Sequence, residues 1–245
     1  MAEEQFIAGR QPILEALKSR QSIDHILLLH GTTGPQIQQI KQLAREQRIH
    51  VKEIDKEHFQ KYSRESVTQG VLAVVNEYVY VDVEDIIAHA QKKNESPFLL
   101  VLDEIEDPHN LGALIRTAEC AGVHGVIIPL HHAASVNQTV VKTSAGATAH
   151  ILIARVTNIA QAIDALKKEN VWIVGTDMSG GKKYYEQDYR GAIAIVIGSE
   201  GSGMRRLVKE KCDFLVSIPM HGNIESLNAS VAGGLVLFEA AKARQ

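Results

Sequence analysis

The residues best suited to chemistry lie between residues 193 and 240. An apolar run at 193–197 ends in a glycine loop, GSEGSG at 198–203, with Glu200 near its centre. This glycine loop lacks the Lys-Ser/Thr of a phosphate-binding loop and the glycine order of a dinucleotide fingerprint. A carboxylate there would repel a phosphate, so ribose hydroxyls or a cationic ligand suit it better. A tight turn in which glycines supply positive φ is the alternative.

A polar loop and a helix of small residues follow. Ser226 or Asn228 can cap that helix, because a short polar side chain accepts hydrogen bonds from its first free N–H groups. Inside the helix, Gly233 and Gly234 should each cost roughly 1 kcal/mol relative to alanine. We therefore expect another backbone to pass close to them, and the polar loop at 221–228 to form a pocket wall.

The elements that position these residues alternate between apolar runs and helical patterns. Strands are predicted at 98–102, 125–128, 151–153, 171–175 and 193–197. Continuous apolar runs of this kind are typical of parallel strands covered on both faces. The sequence therefore predicts an α/β domain whose ligand site lies at the carboxyl ends of the strands.

Three segments are expected along the chain. Residues 1–75 read as a small α/β domain, with helices near Pro12 and after Gly34. Residues 76–97 read as a linker containing an acidic cluster and a short helix. Residues 98–245 form the larger α/β domain.

Composition narrows the function classes. The chain has 245 residues, 45% hydrophobic and 22% charged, as in ordinary globular proteins. It shows neither a long apolar span nor a signal-peptide pattern, so we expect a cytoplasmic protein with no membrane partner. Cys120 and Cys212 are isolated and the 11 histidines have no ligand spacing, which predicts no metal. The net charge of −3 favours binding of nucleic acid through local basic patches only.

Four stretches together resemble the SpoU (TrmH-like) RNA ribose 2′-O-methyltransferases of the SPOUT class. They are NLGALIR at 110–116, IGSEGSGM at 197–204, SIPM at 217–220 and ESLNASVA at 225–232. Their order and spacing fit that family from about residue 97 to the C-terminus. The resemblance implies a deep trefoil knot in the larger domain, a homodimer, and methyl transfer from S-adenosylmethionine to an RNA ribose.

The resemblance also implies site residues. Backbone groups of Gly198, Ile218 and Leu227 would bind the cofactor. The side chains expected on the catalytic side are Asn110, Arg116, Glu200, Ser226 and Asn228.

Two of these residues have open roles. Arg116 matches the family's essential arginine, which acts either as general base or as a group that binds phosphate and stabilises alkoxide charge. A guanidinium keeps its proton in proteins, which favours the second role. Asn110 positions Arg116 or the ribose, or caps the helix that carries Arg116.

The first domain has a weaker resemblance, carried by FIAGRQPILEAL at 6–17 and TQGVLAVV at 68–75. These resemble the ribosomal-protein-like RNA-binding domain of the family branch that methylates guanosine in 23S rRNA, although Thr68 stands where relatives often carry histidine. The expected partner is thus 23S rRNA, with tRNA as an alternative substrate.

Two other functions compete. A non-catalytic RNA-binding assembly factor is disfavoured because Asn110, Arg116, Glu200 and Asn228 are all present. A nucleotide-dependent dehydrogenase is disfavoured by the missing G-x-G-x-x-G fingerprint.

Overall fold

The computed structural model describes residues 5–18, 23–62, 68–75, 78–222 and 226–244. The chain divides into two compact units, Met1–Tyr78 and Val79–Gln245. Each unit has its own sheet and core.

The first unit is a small α/β sheet structure. Its elements are β1 (Gln5–Ala8), α1 (Arg10–Lys18), β2 (Ile23–Leu29), α2 (Pro35–Glu46), β3 (His50–Ile54), α3 (Lys56–Tyr62) and β4 (Val71–Val75). Its described strands have the order β1-β4-β2-β3, in which β2 and β3 are parallel and β4 is antiparallel to both its neighbours. Helices α1 and α2 pack on one face of this sheet, and Phe59 of α3 packs on the other.

The second unit alternates strands and helices. Its helices are α4 (Val83–Lys92), α5 (Pro108–Cys120), α6 (Gln138–Thr143), α7 (Ile159–Lys168), α8 (Arg206–Glu210) and α9 (Ala229–Lys242). Its strands are β5 (Phe98–Leu102), β6 (Gly125–Pro129), β7 (Leu152–Val156), β8 (Trp172–Thr176), β9 (Lys182–Lys183), β10 (Ile193–Ile197) and β11 (Phe214–Ser217). None of the helices described in either unit has the length and apolar composition to cross a bilayer.

All neighbouring strands of the second sheet are parallel, in the described order β7-β6-β5-β10-β8-β11-β9. Helices α4, α7 and α8 cover one face, where Leu99 and Val101 are buried. Helices α5 and α9 pack together on the other, where Leu100 and Leu102 are buried. The predicted parallel α/β domain is therefore confirmed, and its central strands are continuous apolar runs because both faces are covered. The knot stays a prediction.

The segment at 76–97, which the sequence predicted to be a linker, is largely part of the second unit. From Val79 onward this segment belongs to the second unit, and Ile86 and Ile87 of α4 are buried in its core. The acidic cluster begins this helix, since the Asp85 carboxylate accepts a hydrogen bond from the Asp82 N–H at 3.0 Å. Acidic side chains at a helix N-terminus are stabilised by its free N–H groups.

The sequence predicted that another backbone passes close to Gly233 and Gly234, and the structure differs. A Cβ added at Gly233 would lie 2.4 Å from Cδ2 of Leu114, so a side chain of α5 occupies that space, and the prediction of a passing backbone was wrong. A Cβ at Gly234 would meet only Thr117, at 3.7 Å. Of the two glycines, only Gly233 therefore lies where an added Cβ would clash with α5.

Candidate functional site

The glycine loop leaves the carboxyl end of β10 and closes on itself. The N–H of Ser199 donates to the carbonyl of Gly203 at 3.1 Å, and the N–H of Gly203 donates back at 3.0 Å. A Cβ on Gly198 would lie 2.2 Å from the carbonyl carbon of Gly203 and 2.3 Å from the nitrogen of Met204. Only glycine fits at position 198, so the loop is a tight turn and also presents Glu200 at the end of the sheet.

Glu200 is held by a set of hydrogen bonds that we call the Glu200 network. Its Oε1 accepts from the side-chain amide of Asn110 at 3.0 Å, from the side-chain amide of Asn228, and from the N–H of Ala229 at 3.2 Å. The Asn228 amide also donates to Oδ1 of Asn110 at 2.9 Å. The network joins α5, the glycine loop and the start of α9, which are far apart in sequence.

Asn228 caps α9 as well. Its Oδ1 accepts from the N–H groups of Ser230 at 3.0 Å and Val231 at 3.3 Å. Of the two predicted caps, Asn228 is therefore the one used. Ser226 is exposed and lines a cavity described below.

Asn110 does not cap α5. The cap is Asp107, whose carboxylate accepts from the N–H of His109 at 2.8 Å. Asn110 lies in the first turn of the helix, so its side chain is available to the Glu200 network, and the predicted capping role was wrong.

Two cavities adjoin the glycine loop. The larger, of about 460 Å³, is lined by Gly198, Ile218 and Leu227 together with Glu200 and Ser226. The smaller, of about 280 Å³, is lined by Asn110, Glu200 and the loop that follows β5. Glu200 lines both cavities, so two ligands bound in them would lie next to each other at its carboxylate.

The charge around these cavities is negative. Glu104, Glu106 and Asp107 line the smaller cavity beside Glu200. Such a surface disfavours a phosphate and suits hydroxyl groups, which can donate to carboxylates.

Asp177 lines the larger cavity and was not predicted from the sequence. Its Oδ1 accepts from Lys209 at 2.8 Å and from the hydroxyl of Ser179 at 2.6 Å. Burial by itself would raise the pKa of Asp177, but the hydrogen bonds from Lys209 and Ser179 outweigh it and lower that pKa. The cavity wall therefore holds an ionised carboxylate. The sequence could have indicated Asp177, because it lies just past the carboxyl end of a predicted parallel strand, where ligand sites occur.

An ion pair between a buried carboxylate and an exposed arginine anchors the far end of the glycine loop. Asp103, at the end of β5, is fully buried and accepts from the backbone N–H and the Nε of Arg205, both at 2.8 Å. The N–H of Asp103 donates to the carbonyl of Ile197 at 2.9 Å. One buried residue thus fixes both the start of the loop and the chain just beyond it.

Arg116 lies apart from the Glu200 network within one chain. It is exposed on α5, six residues past Asn110, a rise of about 9 Å along the helix axis. It lines neither cavity, and it forms no ion pair with the part of the chain that the structure describes.

Other candidate groups are poorly suited to catalysis. Burial raises the pKa of the Cys212 thiol to about 12, which disfavours a nucleophilic thiolate. Cys120 is exposed and unpaired. Over the described residues, no group of three or more His, Cys, Asp or Glu side chains could hold a metal ion.

Comparison with family models gives two matches. The model of the SpoU rRNA Methylase family matches residues 97–238. The model described as RNA 2′-O ribose methyltransferase substrate binding matches residues 6–81. Together they span both units.

Comparisons with individual proteins cover almost the whole chain. YacO of Bacillus subtilis, placed by its name in the TrmH family of tRNA/rRNA methyltransferases, is 43% identical over 98% of this chain and 96% of its own. The SpoU methyltransferase AviRb from Streptomyces viridochromogenes, solved in complex with the cofactor AdoMet, is 26% identical with a TM-score of 0.65, over 98% of this chain and 90% of its own. An AdoMet-bound rRNA methyltransferase from Sinorhizobium meliloti is 26% identical with a TM-score of 0.64, over 98% and 87%.

Proposed function

The chain belongs to the SpoU rRNA methylase family, and we propose that it transfers a methyl group from S-adenosylmethionine to a ribose 2′-hydroxyl of RNA. The observation that carries this proposal is the position of Glu200 between two cavities, one of which is lined by all three predicted cofactor residues.

The larger cavity fits S-adenosylmethionine in size and charge. Its volume of about 460 Å³ is within the usual range of about 300–1,000 Å³ for small-molecule sites. Backbone groups of Gly198, Ile218 and Leu227 would hold the adenosine, and the carboxylates of Asp177 and Glu200 suit a cationic ligand. When bound, the cofactor supplies an electrophilic methyl group on a positively charged sulfur.

The chain's own residues would orient the ribose 2′-hydroxyl and hold its proton. All three donors of the Glu200 network reach Oε1, and none of the described residues donates to Oε2, which can accept a hydrogen bond from the ribose 2′-hydroxyl. That bond would orient the attacking oxygen, and alignment is the main source of rate in a transfer of this kind. Ser226 would border the entering ribose.

Arg116 would act on the RNA backbone. Because Arg116 is exposed on α5 and lines neither cavity of its own chain, it would serve the site of the second copy in the homodimer proposed below, where its guanidinium would bind the phosphate next to the target ribose and stabilise developing negative charge on the oxygen. Arg116→Lys keeps the charge and removes the two-pronged donor geometry. We expect a large loss of turnover with RNA affinity kept, whereas equal losses of both would indicate a simple anchor.

We propose a guanosine in 23S rRNA as the target. Support comes from the first unit, which matches a substrate-binding model, and from the rRNA methyltransferase of S. meliloti, whose likeness extends over both units. A tRNA ribose is the second candidate, because the name of YacO covers tRNA and rRNA alike.

We further propose that the chain acts as a homodimer through α9. Val231, Leu235 and Phe238 lie on one side of this helix and are 50%, 39% and 52% exposed. An apolar stripe of this kind marks an association surface. Sedimentation of the Phe238→Glu variant should show monomers if this surface is the interface.

The reaction is tested by transfer of labelled methyl groups from S-adenosylmethionine to unmodified 23S rRNA and, separately, to unmodified bulk tRNA. We expect label in 23S rRNA. Label in tRNA alone would overturn the proposed substrate, and label in neither, with cofactor binding intact, would overturn the proposed activity.

A further inference from the structure

We propose that a groove at the edge of the first unit binds the phosphate backbone of the RNA substrate, an inference that rests on the proposed function. The groove has a volume of about 510 Å³ and lies between the C-terminal half of α2 and the edge strand β3. We call it the basic groove. It is lined by Lys41, Arg45, Arg48, Ile49, His50, Val51 and Glu53.

The charges of the basic groove do not cancel. Lys41, Arg45 and Arg48 are permanent cations, and Glu53 is the one carboxylate among the lining residues. Glu53 is already engaged, since its Oε1 accepts from Lys41 at 2.7 Å. The guanidinium groups of Arg45 and Arg48 are exposed and form no ion pair with the described side chains. In a chain of net charge −3, this local excess of positive charge is suited to a polyanion.

Arg48 lies just past the C-terminal end of α2, in a strained backbone conformation. Helix α2 ends in a Schellman motif, in which the N–H of Ile49 donates to the carbonyl of Ala44 at 2.8 Å and the N–H of Arg48 donates to that of Arg45 at 3.1 Å. The motif places Arg48 at φ +59°, where glycine is strongly preferred. A non-glycine residue there costs about 1–2 kcal/mol. The backbone therefore does not account for an arginine at this position, and its exposed side chain adds to the positive charge of the basic groove.

The basic groove runs along β3 toward the turn at 68–70. Its lining extends from His50, which pairs with His25 at one end of the strand, to Glu53, which pairs with Leu28 near the other. The turn lies one residue further on, beside Leu29 and Ile54, since the N–H of Leu29 donates to the carbonyl of Gly70 at 2.9 Å. RNA that touched the turn can therefore continue along the basic groove.

A structural role for the arginines is the competing explanation. Cations in the last turn of a helix stabilise its dipole, and Arg45 occupies that turn. This role predicts a loss of thermal stability on substitution and an unchanged affinity for RNA.

The test uses the full chain with Arg48→Gly, Arg45→Ala and the double variant. Arg48→Gly removes the charge while relieving the backbone, so its Tm should equal or exceed that of the wild-type chain. The matched control is Lys61→Ala, which removes one exposed charge from α3 on the opposite face of the sheet.

The measurement is the Kd for an unmodified 23S rRNA transcript across a salt series. One phosphate contact contributes about 0.7–0.9 to the slope of log K against log salt, or roughly 5- to 8-fold in Kd at 0.1 M salt. We expect each arginine variant to weaken binding by that factor and to reduce the slope accordingly, and Lys61→Ala to change neither.

Wild-type Kd and slope in the double variant would overturn the proposal, and so would an equal loss in Lys61→Ala. Failure of the proposed function has a different signature. A wild-type chain that binds the transcript but transfers no methyl group overturns the activity, and the comparison of Kd values still decides whether the basic groove binds RNA.

Discussion

Asn228 makes two sets of hydrogen bonds that substitution can separate. Its Oδ1 caps α9, while its amide donates to Glu200 and Asn110 in the Glu200 network. Serine caps helices about as well as asparagine but has no amide that could reach across to α5. Asn228→Ser should therefore keep the cap and lose the network, and Asn228→Ala should lose both.

The expected sizes of the two effects differ. Losing the cap costs about 1 kcal/mol, which lowers the Tm of a unit of this size by about 2–4 °C. A hydrogen bond to a carboxylate contributes about 1.5–3 kcal/mol and one between neutral groups about 0.5–1.5 kcal/mol. If the network acts in the transition state, its loss raises the barrier by about 2–4 kcal/mol, which is roughly 30- to 1,000-fold in kcat/KM.

Methyl transfer at saturating S-adenosylmethionine, read beside a thermal melt, distinguishes the two effects. We expect Asn228→Ser to have a higher Tm than Asn228→Ala, because it keeps the cap, and to lose activity by that factor. Wild-type turnover in Asn228→Ser would refute a role for the Glu200 network in the reaction. Loss confined to Asn228→Ala, in proportion to its lower Tm, would show that only the cap matters.

Three further substitutions have predictable outcomes. Gly198→Ala places a Cβ against the backbone at the other end of the glycine loop and should weaken cofactor binding at least about tenfold by calorimetry. Gly234→Ala should stabilise the chain to denaturant by about 0.5–1 kcal/mol, whereas Gly233→Ala should stabilise it less or destabilise it, because Leu114 fills the space. Burial lowers the pKa of His124 below 6.5, so the unfolded chain binds the proton first as the pH falls. The Tm should therefore drop below pH 6.5, and His124→Gln, which cannot take up that proton, should reduce the drop.

Much of the larger domain follows from its sequence. Strands β5 and β10 begin and end where their apolar runs do, since each is covered on both faces and ends in a polar loop. Asn158 caps α7, accepting from the N–H of Gln161 at 3.2 Å, and asparagine is among the residues preferred at that position. Local patterns of this kind suffice because the interactions that decide them lie within a few residues.

The remaining features depend on contacts between distant residues. Helix α4 begins with acidic residues and is followed by a polar run, and this polar sequence predicted a linker. Its two buried isoleucines contact core residues that are distant in sequence. The partner of Asn110 is Glu200, 90 residues away, and helix position alone could not distinguish that contact from a cap. Strand β1 is four residues long, and its pairing with β4 has no local signal.

The chemical identity of the methylated product shows whether the chain methylates a guanosine ribose and whether Glu200 takes part. Unmodified 23S rRNA is incubated with the protein and S-adenosylmethionine, digested to nucleosides and examined by mass spectrometry beside a Glu200→Ala control. We expect a single new nucleoside, 2′-O-methylguanosine, which is absent from the control. A methyl group on a base, or 2′-O-methylation undiminished in Glu200→Ala, would contradict it.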